Sequence, residues 1–290
     1  MSGVVVALVL ALCGGAHAAG SWSGDSFEQA RRTGEARVVF AYVPAEGFAG
    51  TGADGEPDGA TVALLRDFGD WVQARHGIAL AIDWREETDW SRFYARVRDG
   101  SGGVFGVGNV TITEARRGEL AFSPPYMGNV AVLVTHRRVP ELAVLEDIGD
   151  AFAGLGAAVF PGTLHEQRLD ALAQAHFSPP PHTRPVASND ELIALVAGDG
   201  AWFTYVDAYN LLRAQARGLP LRRHPVGDDA SERFGVIMPH GSDWAPVIEA
   251  FFEADGGYTR TPRWRDHLRR HLGEALAEEL AGPPAPDPPR

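Results

Sequence analysis

The sequence predicts an α/β protein with two similar lobes, and three observations lead to that prediction. Short β-branched runs alternate with amphipathic helical segments, which is typical of helices packed on mostly parallel sheets. Two strand-to-helix junctions of the same kind occur, one at Thr111 and one at Thr163. The 290 residues, 45% of them hydrophobic, are about twice the roughly 150 residues of an average domain.

In the first half of the chain, β-branched or alternating runs predict strands, and apolar residues at helical spacing predict helices. The clearest helix covers residues 61–76, where Val62, Leu65 and Phe68 share one face and Gly77 is a C-cap residue. The remaining predicted helices cover residues 88–99 and 111–118. The predicted strands cover residues 37–43, 78–84, 104–110 and 130–135.

In the second half, the same criteria predict three further strands, over residues 157–160, 201–206 and 234–238. Five further helices are predicted over residues 163–176, 188–196, 208–217, 243–254 and 262–279. The alternation continues to the last helix, so both halves of the chain belong to the same fold class.

The N-terminal segment is predicted to lie outside the fold. Residues 4–12 form an apolar run that is too short to span a bilayer, and Ala16-His17-Ala18 is a small-residue cleavage sequence. Residues 1–18 are therefore predicted to be a cleavable signal peptide that exports the protein. Cys13 raises the alternative of a lipoprotein, but Leu12 before it is bulkier than that cleavage tolerates.

Composition excludes several classes of function. The 38 acidic and 26 basic residues give a net charge of −12, which repels phosphate backbones and argues against a nucleic-acid partner. Cys13 is the one cysteine, so no disulfide or cysteine chemistry is expected in the mature protein. His267 and His271 lack an evident third ligand, and neither a metal nor another cofactor is expected. The Pro-rich residues 281–290 are expected to be a disordered tail.

The two junctions are the most informative pattern. Strands lead into Thr111-Ile-Thr-Glu114 and into Thr163-Leu-His-Glu166, and each sequence predicts a capping box that starts a helix at the carboxyl end of a strand. Ligands bind at that edge of open α/β sheets, and free N–H groups there favour anions. Arg116, one turn into the first helix, could reach a carboxylate held at Thr111. The pattern indicates a cleft that binds a small anionic or zwitterionic solute.

The segments around the first junction also resemble a known family. Residues 110–117, Val-Thr-Ile-Thr-Glu-Ala-Arg-Arg, and residues 120–126, Leu-Ala-Phe-Ser-Pro-Pro-Tyr, are similar to the signature of family-3 bacterial extracellular solute-binding proteins. These are the periplasmic amino-acid-binding components of ABC transporters. Later landmarks lie at residues 145–148, 161–163, 234–237 and 254–258, so the resemblance covers about residues 37–272.

The resemblance implies a type II periplasmic-binding-protein fold, in which two α/β lobes are joined by a two-strand hinge with the ligand cleft between them. Lobe 1 would comprise residues 36–128 plus 233–280, and lobe 2 residues 129–232. A protein of this family is a monomer that closes its lobes on a small polar ligand and delivers it to an ABC permease in the inner membrane.

The resemblance also assigns roles in lobe 1. Arg116 would bind the carboxylate of the ligand, Asn109 and Thr111 would add hydrogen bonds, and Trp90 would form an aromatic wall. From the residues alone, Arg116 could instead be a solvated helix charge, and Trp90 could belong to the core.

In lobe 2, Thr163 and His165 would form an anion-facing turn, and Asp207 would pair with the ligand's amine. That alignment could slip by two residues to Tyr205. As alternatives, His165 could be an ordinary surface residue and Asp207 could cap the following helix.

One loop departs from the family pattern, which puts ordinary amino-acid specificity in doubt. Residues 42–48 read Tyr-Val-Pro-Ala-Glu-Gly-Phe, so Tyr42 or Glu46 would supply the amine and side-chain contacts. Two other functions stay open. One is a cyclohexadienyl (arogenate/prephenate) dehydratase on the same scaffold, with Glu46 or His165 as general acid. The other is a ligand-sensing accessory module that partners a receptor.

Overall fold

One ten-stranded sheet runs through residues 21–280, the part of the chain that this computed structural model describes. The predicted signal peptide (1–18) and Pro-rich tail (281–290) lie outside the described residues. The strands are β1 Glu35–Tyr42, β2 Gly50–Thr51, β3 Pro57–Asp58, β4 Ala79–Glu86, β5 Val104–Thr111, β6 Leu120–Phe122, β7 Met127–His136, β8 Gly156–Val159, β9 Thr183–Pro185, β10 Trp202–Asp207, β11 Leu221–Arg223 and β12 Asp229–Pro239. Strands β2 and β3 form a separate two-stranded sheet.

Helices cover the main sheet. They are α1 Phe27–Thr33, α2 Ala60–His76, α3 Trp90–Arg98, α4 Glu114–Arg117, α5 Ile148–Ala151, α6 Leu164–His176, α7 Asn189–Gly198, α8 Ala208–Ala216, α9 Ala245–Glu253, α10 Pro262–Leu272 and α11 Glu274–Leu280. None of the helices between residues 21 and 280 combines the length and the apolar character that a membrane crossing requires.

The strand order is β4-β1-β5-β12-β7-β10-β8-β9, with β6 paired to β12 and β11 paired to β7. The outer pairs on both flanks are parallel, as the alternation of strands and helices predicts. The pairs in the centre are antiparallel, because β7 and β12 run from one lobe into the other. The sheet therefore has two parallel flanks joined by two crossing strands.

Alternation along the strands places a separate apolar cluster on each face of each flank. In β1, Phe40 and Tyr42 pack with α2 in one cluster, whereas Val39 and Ala41 pack with α3 in another. In β10, Phe203 and Val206 likewise belong to two different clusters. Each lobe is thus a sheet covered on both faces, which is the basis of the two-lobed architecture.

The register of the crossing strands β7 and β12 includes one pair in which both residues are polar. Glu232 of β12 is the register partner of Asn129 of β7, and Phe234 is the partner of Met127. The predicted lobe limits after residues 128 and 232 fall inside this stretch, and those limits stay a prediction. The pairing nevertheless puts Asn129 and Glu232 at the passage between the lobes.

Two predicted helices differ from the structure. The helix predicted over residues 111–118 is the single turn α4, and its N-cap is Thr113 rather than Thr111, so the capping box predicted at Thr111 is wrong. The helix predicted over residues 262–279 breaks into α10 and α11 at Gly273. Gly273 has φ 83°, a left-handed conformation that suits glycine and ends α10.

Candidate functional site

A cavity of about 230 Å³ lies between the lobes, at the carboxyl ends of β5 and β10 and beside the crossing strand β12. This is the edge of an α/β sheet at which ligands bind. Both lobes contribute to the lining. The polar, charged and aromatic side chains of the lining include Glu46, Trp90, Asn109, Thr111, Arg116, Thr163, His165, Asp190, Asp207, Tyr209, Asn210, Arg213, Arg217 and Glu232.

Arg116 forms a wall of the cavity together with two aromatic rings. Trp90 and Tyr94 of α3 stack with their ring centres 5.4 Å apart, and the guanidinium carbon of Arg116 lies 5.3 Å and 5.7 Å from those centres. One guanidinium nitrogen, Nη1, donates a hydrogen bond to the Thr111 carbonyl oxygen at 3.1 Å. Burial lowers the pKa of Arg116, but a guanidinium keeps its charge in proteins. Within residues 21–280, Arg116 forms no ion pair with a carboxylate.

Asn109 connects the two lobes across the cavity. It has φ 52°, in the left-handed region that asparagine tolerates better than most residues. Its side-chain oxygen accepts a hydrogen bond from the hydroxyl of Tyr126 at 3.0 Å, and its Nδ2 donates to the hydroxyl of Tyr209 on α8, also at 3.0 Å. Both polar ends of Asn109 are therefore held by protein partners.

The floor of the cavity is a buried polar cluster, which we call the floor cluster: Thr111, Asn129, His165, Arg168, Asp207 and Glu232. Glu232 Oε2 accepts hydrogen bonds from Thr111 Oγ1 at 3.0 Å and from Asn129 Nδ2 at 2.9 Å. Glu232 Oε1 lies 2.5 Å from Arg168 Nη1. Asn129 Nδ2 also donates to Asp207, so one amide bridges two buried carboxylates.

Asp207 stays ionised although it is only 8% exposed. Burial by itself raises the pKa of Asp207, but the charge and hydrogen bond of His165, with hydrogen bonds from Tyr209 and Asn129, bring it below its usual value. His165 Nε2 lies 3.3 Å from Asp207 Oδ1, and His165 Nδ1 lies 3.3 Å from Arg168 Nη1. Both ring nitrogens of His165 therefore face protein groups of the floor cluster.

A second guanidinium lies elsewhere in the lining, on α8. The guanidinium carbon of Arg213 is 5.5 Å from the ring centre of Phe48 in lobe 1 and 5.5 Å from that of Tyr209 in lobe 2. Burial lowers the pKa of Arg213, and the carboxylate of Glu46 partly opposes that effect. Phe48 and Tyr209 themselves pack edge to face at 4.8 Å, so the aromatic contact also joins the lobes.

The structure brings most of the predicted site residues together. The predicted residues in the lining are Glu46, Trp90, Asn109, Thr111, Thr163, His165, Asp207 and Arg116. Arg116 is not a solvated helix charge, because it is enclosed by two rings and a carbonyl. Contact of these residues with a ligand is a proposal.

Two tyrosines do not reach the cavity. Tyr42 shares the β1 face of Phe40 and is 4% exposed; its hydroxyl donates to Glu86 Oε2 at 3.1 Å, away from the lining. Tyr205, the alternative to Asp207, donates its hydroxyl to the Gly227 carbonyl at 2.8 Å. In the loop over residues 42–48, Glu46 reaches the rim, where its side chain is 72% exposed.

Four residues of the site were not predicted from the sequence: Glu232, Asn129 and Arg168 of the floor cluster, and Arg213 of the lining. Glu232 precedes the strand predicted over residues 234–238, and no local pattern shows that β12 continues back to Asp229 and crosses to β7. Arg213 does carry a signal, because it follows Tyr209 by four positions and therefore shares its helix face.

No metal centre is formed by the described residues, since no group of three or more His, Cys, Asp or Glu side chains between residues 21 and 280 could hold an ion. Neither a protein-family model nor a curated protein sequence matches the chain. Solved structures do match it, and all of those described next are less than 20% identical to the chain.

The arginine-, lysine- and histidine-binding protein ArtJ of Geobacillus stearothermophilus has a TM-score of 0.64 and 17% identity, and the match covers 82% of this chain and 96% of ArtJ. The histidine-bound substrate-binding protein of an ABC uptake transporter from Streptococcus pneumoniae has a TM-score of 0.65 and 17% identity, with 86% and 97% covered. The glutamate-bound ligand-binding core of GluR0 from Nostoc punctiforme has a TM-score of 0.61 and 14% identity, with 82% and 100% covered.

These three proteins bind amino acids, and similarity at this level of identity establishes a shared fold. The fold that the sequence resemblance implied is therefore confirmed: the chain has the type II periplasmic-binding fold found in amino-acid-binding proteins of ABC transporters.

Proposed function

We propose that this chain is a periplasmic receptor that binds a small carboxylate-bearing solute, an amino acid or an analogue, between its lobes. Closure of the lobes would then present the loaded form to an ABC permease. The proteins similar in fold bind arginine, histidine or glutamate, and each of those ligands carries the α-carboxylate that a bidentate guanidinium recognises.

The observation that carries the proposal is the state of Arg116. Its guanidinium is fixed by the rings of Trp90 and Tyr94 and by the Thr111 carbonyl oxygen, and it lines the cavity without a carboxylate partner in the described chain. A desolvated, oriented guanidinium of this kind gains most from a carboxylate that comes from outside the protein.

The same geometry weighs against the dehydratase alternative. A general acid needs a proton within reach of the leaving group. His165 holds Asp207 and Arg168 with its two ring nitrogens, and Glu46 is exposed at the rim. The similar structures named above are binding proteins. Incubation with prephenate or arogenate tests the alternative, and formation of an aromatic product would establish it.

Thermal unfolding of the purified protein against amino acids, small carboxylates and polyamines tests the receptor proposal. A ligand at 100 times its dissociation constant adds about 2.7 kcal/mol to the free energy of unfolding, which raises the midpoint measurably. We expect Arg116→Ala to weaken binding by about 1.5–3 kcal/mol, the range for a hydrogen bond to a charged group.

The matched control is Arg117→Ala. Arg117 follows Arg116 on α4 but is exposed, lies 5.9 Å over the ring of Phe122 and is not part of the lining. Equal loss of binding in both variants, or full binding by Arg116→Ala, would show that the carboxylate site is misplaced. A receptor that partners a sensor instead of a permease would bind identically, so the permease is tested separately, by ligand uptake in membrane vesicles.

A further inference from the structure

We propose that the ligand carries two acidic groups, and that Arg213 and Asn210 form the subsite for the second one. This inference deepens the proposed function, in which Arg116 binds the first carboxylate. It concerns the opposite lobe, because α8 supplies both Asn210 and Arg213.

Arg213 packs against two neighbouring aromatic rings and has no polar partner among the described residues. The rings of Phe48 and Tyr209 lie 5.5 Å from its guanidinium carbon. An aromatic ring offers attraction to a cation but does not satisfy the N–H donors of a guanidinium. Within residues 21–280, the Arg213 guanidinium makes neither a hydrogen bond nor an ion pair. It is a partly buried cation in the cavity lining whose donors are unused.

Asn210 supplies a second unused donor on the same helix. Its Nδ2 is buried and has no hydrogen-bond partner among the described residues, although Asn210 belongs to the cavity lining. A buried amide without a partner is costly, and such groups are normally satisfied by an acceptor. A guanidinium can only donate, so an acceptor-rich group, and best an anion, complements Arg213 and Asn210 together.

The carboxylates of the floor cluster cannot supply that anion. Asp207 is engaged by His165 and Asn129, and Glu232 by Arg168 and Thr111. The two other carboxylates of the lining, Glu46 and Asp190, are exposed, and neither forms an ion pair with Arg213 in the described chain.

Two guanidiniums, Arg116 and Arg213, therefore remain in the lining without a carboxylate partner among residues 21–280. A dicarboxylate or an acidic amino acid would neutralise both. A basic amino acid would instead place its own cation near Arg213, so this inference separates the chain from the arginine-binding proteins that share its fold.

Isothermal titration of the purified protein tests the inference. The probes are L-aspartate, L-glutamate, succinate and glutarate, each paired with the ligand in which one carboxylate is a carboxamide, and L-arginine is the cationic probe. We expect at least one diacid to bind about tenfold or more tightly than its amide, as a charge-assisted hydrogen bond predicts. Arg213→Met should reduce that preference to about threefold or less, and Arg116→Ala should weaken both members of the pair.

The control is Arg184→Met, which also removes a guanidinium stacked on an aromatic ring, that of Trp202, but outside the lining. If Arg213→Met does not fold, the same titrations of Arg213→Gln and of the unaltered protein measure the preference for the diacid over its amide. Three outcomes would overturn the second subsite and leave the receptor proposal intact. The acid and its amide could bind equally, the preference for the acid could survive in Arg213→Met, or L-arginine could bind most tightly. A panel with no binding sensitive to Arg116→Ala overturns both.

Discussion

The two strand-to-helix junctions look alike in sequence and differ in structure. At the second junction, Thr163 caps α6 by accepting a hydrogen bond from the backbone N–H of Glu166 at 3.4 Å, and the Glu166 side chain accepts from the backbone of Gly162 at 2.8 Å. At the first, Thr111 donates its hydroxyl to Glu232, and Thr113 caps α4 instead. Thr163 thus caps its own helix, whereas Thr111 donates a hydrogen bond within the floor cluster.

The difference shows that a capping sequence starts a helix only where the preceding strand has ended, because Thr111 still pairs with Phe234 of β12 and the Ile112 N–H donates to the Arg233 carbonyl. A hydroxyl can donate and accept at the same time, as Thr163 does when it also donates to the Phe160 carbonyl at 2.7 Å, so the bond from Thr111 to Glu232 does not by itself prevent capping. The second junction reaches the floor cluster too, but through His165 rather than through Thr163. Both helices thus begin beside the same buried charges, and they depend on those charges to different degrees.

The largest effect should come from removing the partner of the first threonine. Glu232→Ala leaves Thr111 and Asn129 without their shared acceptor, and it leaves Arg168 with Asp229 as its one carboxylate partner within residues 21–280. Breaking a buried pair from one side costs about 3–5 kcal/mol. Urea unfolding should therefore show a large fall in the free energy of unfolding.

The second junction provides the control for that experiment. Glu166→Ala removes a carboxylate that accepts a single side-chain hydrogen bond in the described part of the chain, from the exposed backbone N–H of Gly162, so the loss should be about 1 kcal/mol or less. Similar losses in the two variants would mean that the floor cluster does not stabilise the first junction more than a local cap stabilises the second.

Low pH should remove the stabilisation of the fold that comes from the ionised Asp207 beside His165 of the second junction. The pKa of Asp207 is lower in the folded protein than its usual value, so its contribution to stability is present above about pH 4 and is lost as the pH falls through the folded pKa. The difference in the free energy of unfolding between the unaltered protein and Asp207→Asn should narrow from pH 7 to pH 3.

Asp190→Asn is the control, since Asp190 is an exposed carboxylate of the same cavity, and we expect little effect on stability at any pH. A difference for Asp207→Asn that is constant across this range would show that the charge of Asp207 does not stabilise the fold.

Local periodicity and composition predicted most of the strands and helices. They also indicate two features that were not predicted: the core position of Tyr42 and the break at Gly273. The spacing of Val62, Leu65 and Phe68 predicted α2, and strand alternation would have placed Tyr42 on the core face of Phe40 rather than in the cavity. Glycine at position 273 is itself a signal for a helix end, but the strong helical pattern on both sides of it concealed that signal.

The floor cluster could not be predicted, because its contacts join residues that are far apart in the chain. Thr111 and Glu232, and Asn129 and Asp207, meet only when β12 crosses to β7. No periodicity within one segment indicates that register. Arg116 was predicted through a short signature beside its own helix, whereas Glu232 has no neighbouring pattern that would mark it as buried.

The smallest effects are expected from removing the N-cap threonines Thr163 and Thr113. One variant should mainly lower stability, and the other should mainly weaken ligand binding. Thr163→Ala removes the cap of a 13-residue helix and should lower the free energy of unfolding by about 1 kcal/mol. Thr113→Ala removes the cap of the single turn that carries Arg116, so it should cost less stability, about 0.5 kcal/mol, and weaken carboxylate binding more. Urea unfolding and ligand titration of the two variants would measure both quantities. The reverse order, with Thr163→Ala the poorer binder, would show that α6 rather than α4 positions the carboxylate.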